Sequence, residues 1–206
     1  MLNMIIVDYG AGNLTSVYNA LSYLGIAGEV SNDPKKIENA EKIIFPGVGA
    51  AKSAMETLNK TGIGTALKNA AKNGAQILGI CIGCQIILEH SDENNGVECL
   101  GLLKGKVVRF ANSSDPAKIK IPHIGWNQVN FTKPHKIFKG ISNGSNFYFV
   151  HSYHPSLSSD LTFGTTMYGS QTFPCILGKD NIIATQFHLE KSGEIGLQVL
   201  KNFGEL

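Results

Sequence analysis

With 206 residues, 43% of them hydrophobic, the chain is long enough for a single globular domain, 1–206, with a sizeable core. Eighteen basic residues against sixteen acidic ones leave it near neutrality, and there is no long basic run to suggest nucleic acid or an anionic membrane, so a small molecule or another protein is the expected partner. The opening Met1-Leu2-Asn3-Met4-Ile5-Ile6-Val7-Asp8 has no cationic leader and too short an apolar run for a signal or membrane span, and the cysteines at 81, 84, 99 and 175 make no disulfide framework; both point to the reducing cytoplasm.

Strand and helix signals alternate through the first half. A short apolar strand at 4–7 runs into the glycine-rich turn Asp8-Tyr9-Gly10-Ala11-Gly12-Asn13, after which Leu14, Val17, Leu21 and Leu24 recur at helical spacing up to Gly25. Strands are predicted at 29–31, 42–45 and 75–80, and helices at 51–58, 64–72 and from 82 to about 90. This is the pattern of a parallel sheet covered by helices, whose reactive residues belong at the C-terminal ends of the strands. The second half changes character. Strands at 103–110, 127–131, 146–150, 162–168, 174–177 and 182–187, separated by loops with Pro122, Pro134, Gly140 and Gly144, suggest antiparallel additions. Ile195, Val199 and Phe203 mark a closing amphipathic helix with Ser192 at its N-cap.

The chemistry concentrates in two places. In Gly79-Ile80-Cys81-Ile82-Gly83-Cys84-Gln85 a cysteine stands at a strand-to-helix turn between glycines that leave room for its side chain. The unpaired NH groups and dipole of the following helix favour the thiolate there, and the Ile82 NH points toward an oxyanion formed on attack at a carbonyl. A second donor is expected from the loop Pro46-Gly47-Val48-Gly49. In Ile182-Ile183-Ala184-Thr185-Gln186-Phe187-His188-Leu189-Glu190, an extended conformation carried through to Glu190 would put His188 and Glu190 on one side, so that the carboxylate orients the imidazole. Cys81, His188 and Glu190 then form a nucleophile, base and orienter.

Other readings compete. Cys81 and Cys84 make a CxxC, elsewhere a redox pair, but Gln85 and the distant His-x-Glu fit nucleophilic catalysis better, and Cys84 is expected to face the interior. His123, His151 and His154 lack the usual ligand spacing, so no metal is expected. Trp126 suits core or interface equally, Glu93 lies in a polar run typical of a solvated loop, and Lys191 alone is a surface lysine.

Six segments together resemble the class I (triad) glutamine amidotransferases over the whole chain, and within them the glutaminase subunits of imidazole glycerol phosphate synthase. They are the turn at 8–13, Pro46-Gly47-Val48-Gly49-Ala50, the Cys81 elbow, Pro122-His123-Ile124-Gly125-Trp126-Asn127, Phe147-Tyr148-Phe149-Val150-His151-Ser152-Tyr153, and Gln186-Phe187-His188-Leu189-Glu190-Lys191-Ser192. The resemblance implies a three-layer α/β, flavodoxin-like fold, its central sheet mostly parallel with an antiparallel portion in the C-terminal half. It implies hydrolysis of L-glutamine by Cys81, His188 and Glu190 through a thioester, without a cofactor. Oxyanion donors would come from Val48, Gly49 and Ile82, and substrate contacts from Gln85, Glu93, Ser152 and Tyr153. The partner implied is a (β/α)8-barrel cyclase subunit of the HisF type. In a heterodimer, docked on a face with Asn13, Trp126 and Lys191, it uses the ammonia to convert a ribulosyl-aminoimidazole carboxamide nucleotide (PRFAR) to imidazole glycerol phosphate and AICAR. Because free ammonia would be wasted, the Val48 peptide, flanked by glycines, is expected to reorient when the partner binds its nucleotide.

Two positions depart from the family pattern. Leu189 stands where proline is usual, which removes a fixed φ from between His188 and Glu190. Ala51 stands where an aromatic residue is usual. Both also suit a paralogous glutaminase serving sugar amidation in a surface-glycan pathway; a catalytically silent module of the same fold is the other reading.

Overall fold

The computed structural model describes residues 4–10, 13–111 and 119–206; of the turn predicted at 8–13, residues 11 and 12 lie outside them. The N-terminal half runs β1 (Met4–Val7), α1 (Leu14–Tyr23), β2 (Glu29–Ser31), α2 (Pro34–Glu38), β3 (Lys42–Phe45), α3 (Ala51–Thr61), α4 (Ile63–Lys72), β4 (Gln76–Ile80) and α5 (Ile82–Ile86). Every residue of β1 and β3 is buried, as parallel strands covered on both faces require. Their side chains alternate between two cores. Ile5 and Val7 pack with Met55 and Leu58 of α3 and Leu67 of α4, whereas Met4 and Ile6 pack with Val17 and Leu21 of α1 on the opposite face. Each such side chain contributes roughly 1.5–3 kcal/mol on burial, so the two helical layers hold the sheet between them.

The C-terminal half continues with β5 (His90–Ser91), β6 (Val97–Glu98), β7 (Lys106–Arg109), β8 (His123–Phe131), β9 (Ser145–His151), β10 (Tyr153–Ser156), β11 (Thr162–Tyr168), β12 (Gln171–Lys179), β13 (Ile182–Thr185) and α6 (Gly193–Gly204). The main sheet has nine strands in the order β2-β1-β3-β4-β13-β12-β11-β8-β9. It is parallel from β2 to β13, with Ile183 opposite Leu78 and Thr185 opposite Ile80, and antiparallel from β13 to β9. The parallel strands taken in chain order are arranged 2-1-3-4-5, the flavodoxin-like order, so the mixed sheet has the predicted class of fold. A smaller sheet, β10-β7-β5-β6, stands beside it.

Several predicted boundaries move. α5 stops at Ile86 instead of near residue 90, because His90 and Ser91 are drawn into the small sheet against Lys106 and Val107. β8 begins at His123, four residues before the predicted start at 127, since residues 123–129 pair with β9. α2 was not predicted, although Asp33 accepts from the Lys35 NH at 2.9 Å and Pro34 occupies the first turn, an ordinary helix start. At the closing helix Ser192 does occupy the N-cap position, but its hydroxyl makes no cap; it donates to the His188 carbonyl and accepts from the Tyr148 NH. Cys84 faces one core and Cys81 the other, and all four cysteines are free thiols, an arrangement unlike a redox pair. Among the described residues no helix is long and apolar enough to cross a membrane.

Candidate active site

β4 delivers Cys81 to the C-terminal edge of the sheet, where the backbone turns sharply (φ 55°, ψ −107°) before α5. That conformation is strained for a residue with a Cβ, and it throws the side chain out of the turn. The glycines are there for space. A Cβ on Gly83 would collide with the Phe45 carbonyl, and one on Gly79 would come within 3.0 Å of the Ala184 Cβ. With only five residues, α5 supplies less of the dipole that the sequence pattern promised, which leaves the imidazole nearby as the main polar neighbour to account for.

That imidazole arrives by a different route from the one predicted. β13 ends at Thr185, and the strand does not persist to Glu190. His188 is still extended (φ −87°, ψ 109°) and donates its NH to the Tyr148 carbonyl, but Leu189–Lys191 then form a turn of 3₁₀ helix. This tight turn, and not the alternation of a strand, brings the His188 Nδ1 to 2.7 Å from Glu190 Oε1, with both side chains 2% exposed. Burial lowers the proton affinity of His188, yet the neighbouring Cys81 and Glu190 outweigh it and raise the pKa to about 10. The Nε2 is buried and without a hydrogen-bond partner among the described residues, which leaves it available to the reacting groups.

Leu189 does not keep the pair apart. It occupies the first position of the 3₁₀ turn after an extended residue, a site that suits proline, while its own side chain is fully buried in the α1 and α6 core. Leu189→Pro is therefore expected to keep glutaminase activity within about twofold while costing roughly 1–2 kcal/mol in lost packing, the stiffer backbone offsetting part of that loss. Steady-state kinetics with a thermal melt checks both; a kinetic loss beyond about tenfold would mean that the leucine side chain itself sets the pair's geometry.

The loop after β3 carries the main departure from expectation. The Ile82 NH, predicted to be an oxyanion donor, is given to the Gly47 carbonyl at 3.4 Å. In a trans peptide the C=O and the next N–H point in opposite directions, so the Val48 NH faces away from the Ile82 NH. The two donors do not converge in this state. Gly49 has a φ of 99°, and the exposed Val48 leaves the loop without a deep anchor on that side.

A cleft of about 400 Å³ gathers Cys81, His188, Val48, Gly49 and Ile82 with the predicted substrate residues Gln85, Glu93, Ser152 and Tyr153, and with Lys191. Glu190 lies behind His188 and does not line it. Glu93 is no free loop residue: its Oε2 accepts from the Ala51 NH at 2.7 Å, tying the mouth of the cleft to the start of α3. Gln85 is buried and donates to the Tyr153 carbonyl and to Gln186 Oε1, both at 2.9 Å. Asn13, which precedes α1, and Trp126, more than half exposed on β8, lie outside the cleft lining. Trp126 meets the Tyr148 ring edge-on at 6.1 Å, and Lys191 Nζ lies 5.9 Å from that same ring, so Trp126 and Lys191 share one exposed patch.

Three residues without a role in the sequence pattern are brought to this site by the fold. Gln186 stands 4.0 Å from Cys81 Sγ and is bonded to Gln85. His151 donates from Nδ1 to the Tyr153 carbonyl at 2.8 Å, and its Nε2 is 3.0 Å from His123 Nδ1. Burial drives His151 down to about 3 and His123 to about 4, so both stay neutral, His151 in the lining of the cleft and His123 behind it as its hydrogen-bonding partner. Tyr9 lies buried against Gly47. Gln186 and His151 each stand two residues from a residue of the predicted site, which was the available signal.

An elbow cysteine at the C-terminal edge of a flavodoxin-like sheet, facing a buried His–Glu pair, defines a glutamine amidotransferase of the triad type. The model of the family "Glutamine amidotransferase class-I" matches residues 5–205, and the chain belongs to that family. Solved structures with the same fold include PurLQS from Thermotoga maritima (TM-score 0.71, 22% identity, 97% of this chain and 96% of that one) and a glutamine amidotransferase from the same organism (0.63, 14%, 98% and 82%). Much greater similarity joins it to the "Imidazole glycerol phosphate synthase subunit HisH" of Moorella thermoacetica (46% identity, all of this chain and 96% of that protein) and of Chlorobium chlorochromatii (45%, 98% and 100%). Within the class, it is a member of the HisH family.

Proposed function

We propose that the chain works in the cytoplasm, as one domain, as the glutaminase of imidazole glycerol phosphate synthase. Cys81 attacks the side-chain carbonyl carbon of L-glutamine as a thiolate, His188 having taken its proton. The tetrahedral oxyanion collapses as His188 returns the proton to the leaving nitrogen, giving ammonia and a thioester. Water, deprotonated by His188, then attacks the thioester, and a second oxyanion collapses to release glutamate. Glu190 holds His188 in the required tautomer throughout. Gln85, Glu93, Ser152 and Tyr153 position the amino-acid end of the substrate, Glu93 with the oxygen left free by its bond to Ala51. The observation that carries this reading is the 2.7 Å contact of Glu190 with His188, which lines one cleft with Cys81.

Oxyanion stabilisation requires the Gly47–Val48 peptide to turn over, freeing the Ile82 NH and bringing in the NH of Val48, with Gly49 as the hinge. The signal comes from a (β/α)8-barrel cyclase subunit of the HisF type, docked as a heterodimer on the face of Asn13, Trp126 and Lys191. It converts PRFAR with the ammonia to imidazole glycerol phosphate and AICAR. Gating suits the chemistry, since ammonia made without an acceptor is lost. The identities of 43–46% with HisH subunits support this pathway over a sugar-amidating synthase.

The test is glutamate release by the chain alone and with the cyclase plus its nucleotide. Completing an oxyanion hole is worth about 10²–10³ in turnover, so stimulation of that order is expected. Equal basal and stimulated rates would overturn the gating, and no turnover under either condition would leave a silent module.

A further inference from the structure

Tyr9 is a buried group beside this site that the thioester mechanism leaves unused. It follows β1, is 2% exposed, and stacks its ring at a tilt on Phe45, 5.5 Å between centroids. Its hydroxyl has no hydrogen-bond partner among the described residues. A buried hydroxyl left unpaired is costly, so one in a native site calls for an explanation. The oxygen lies directly against Gly47: a Cβ added there would collide with it, and would also come within 2.9 Å of the Ile82 Cβ. It therefore touches the peptide that has to turn.

We propose that the Tyr9 hydroxyl is a positioning group for the oxyanion loop, donating to the Gly47 carbonyl once that carbonyl leaves the Ile82 NH. The inference rests on the proposed glutaminase function. In the resting state the Gly47 carbonyl is satisfied by Ile82 and the Tyr9 hydroxyl is not. Turning the peptide strands the carbonyl next to an unpaired donor, and the two satisfy each other. The resting loop is thus held by a backbone bond, the active loop by a side chain. The phenol is suited to donate, because burial and then the charge of Cys81 hold it protonated well above its ordinary range. Glycine at 47 is required on both counts: it admits the hydroxyl and it lets the peptide rotate.

Tyr9→Phe removes the hydroxyl and keeps the ring. In the complex with cyclase and nucleotide, kcat for glutamate release is expected to fall about tenfold, equivalent to about 1.4 kcal/mol, while KM for glutamine stays within about twofold. The thermal midpoint of the free subunit should hold or rise, since an unpaired polar group is removed. With the Tyr9 Cζ labelled by carbon-13, nucleotide binding to the wild-type complex should move its resonance, the sign of a new hydrogen bond. A stimulated kcat within about twofold of wild type would overturn the proposal, as would a loss matched by a lower melting point, which marks a packing role. Wild-type protein that shows no stimulation would overturn the glutaminase gating and this inference together, whereas stimulated wild type with an unaffected Tyr9→Phe would overturn this inference alone.

Discussion

Cys81→Ala is expected to remove glutamate release entirely, a loss of about 10⁶-fold where a catalytic nucleophile acts as a unit with its base. No other group can replace it: Cys84 is wholly buried with its thiol pushed well above the ordinary range by burial, and it belongs to the opposite core. The same substitution has a titration consequence. His188 is held at about 10 against the lowering effect of burial, first by Cys81 and then by Glu190. Without the thiol, the His188 pKa falls, which proton NMR of its ring across pH detects directly. Stability follows the sign. A histidine raised above its unfolded value of about 6.5 contributes fully below that pH and loses the contribution as pH rises through the folded pKa. The wild-type melting point should therefore decline between roughly 6.5 and the folded value near 10, and in Cys81→Ala that decline should start at the same pH but be smaller and finish at lower pH. An unchanged His188 titration would mean that the thiol does not interact with the imidazole.

What was legible beforehand follows the range of the forces involved. β1 and β3 announce themselves because parallel strands buried on both faces are continuous apolar runs, and α1 because its apolar residues keep helical spacing. The chemistry of Cys81, His188 and Glu190 was legible as residue types, since a strand-to-helix elbow requires small neighbours. Their mutual geometry was not. The run from Ile182 to Thr185 is a strand because it lies between β4 and β12, but nothing local says that pairing stops there and that Leu189 starts a 3₁₀ turn. The early end of α5 is likewise tertiary, set by His90 and Ser91 pairing with β7. Least legible was the Gly47 carbonyl. A glycine-rich loop advertises freedom, and which way its peptide points depends on the Ile82 NH, 35 positions later.

Glu190→Gln should give the second largest effect, a fall in stimulated kcat of about 10³–10⁴-fold with KM for glutamine little changed, because Glu190 stands behind the imidazole and outside the cleft lining. The carboxylate can only accept, so it fixes the proton of neutral His188 on Nδ1 and leaves Nε2 free to take one from Cys81. The amide can donate instead, which favours the tautomer with the proton on Nε2 and leaves the base unable to act. It also removes the charge that stabilises the imidazolium, so the His188 pKa should fall as well. Stability near neutral pH should fall with it, because Glu190 helps to raise His188 and that linkage is lost; relief of the buried Oε2, unpartnered among the described residues, offsets only part of the loss. Kinetics and a thermal melt on the same preparation separate the cases. Lost turnover at a temperature where the variant is still fully folded is the signature of a group acting through the base and not only through the fold. A loss below about tenfold would instead leave the orientation of His188 to its backbone alone, with the Glu190 contact incidental.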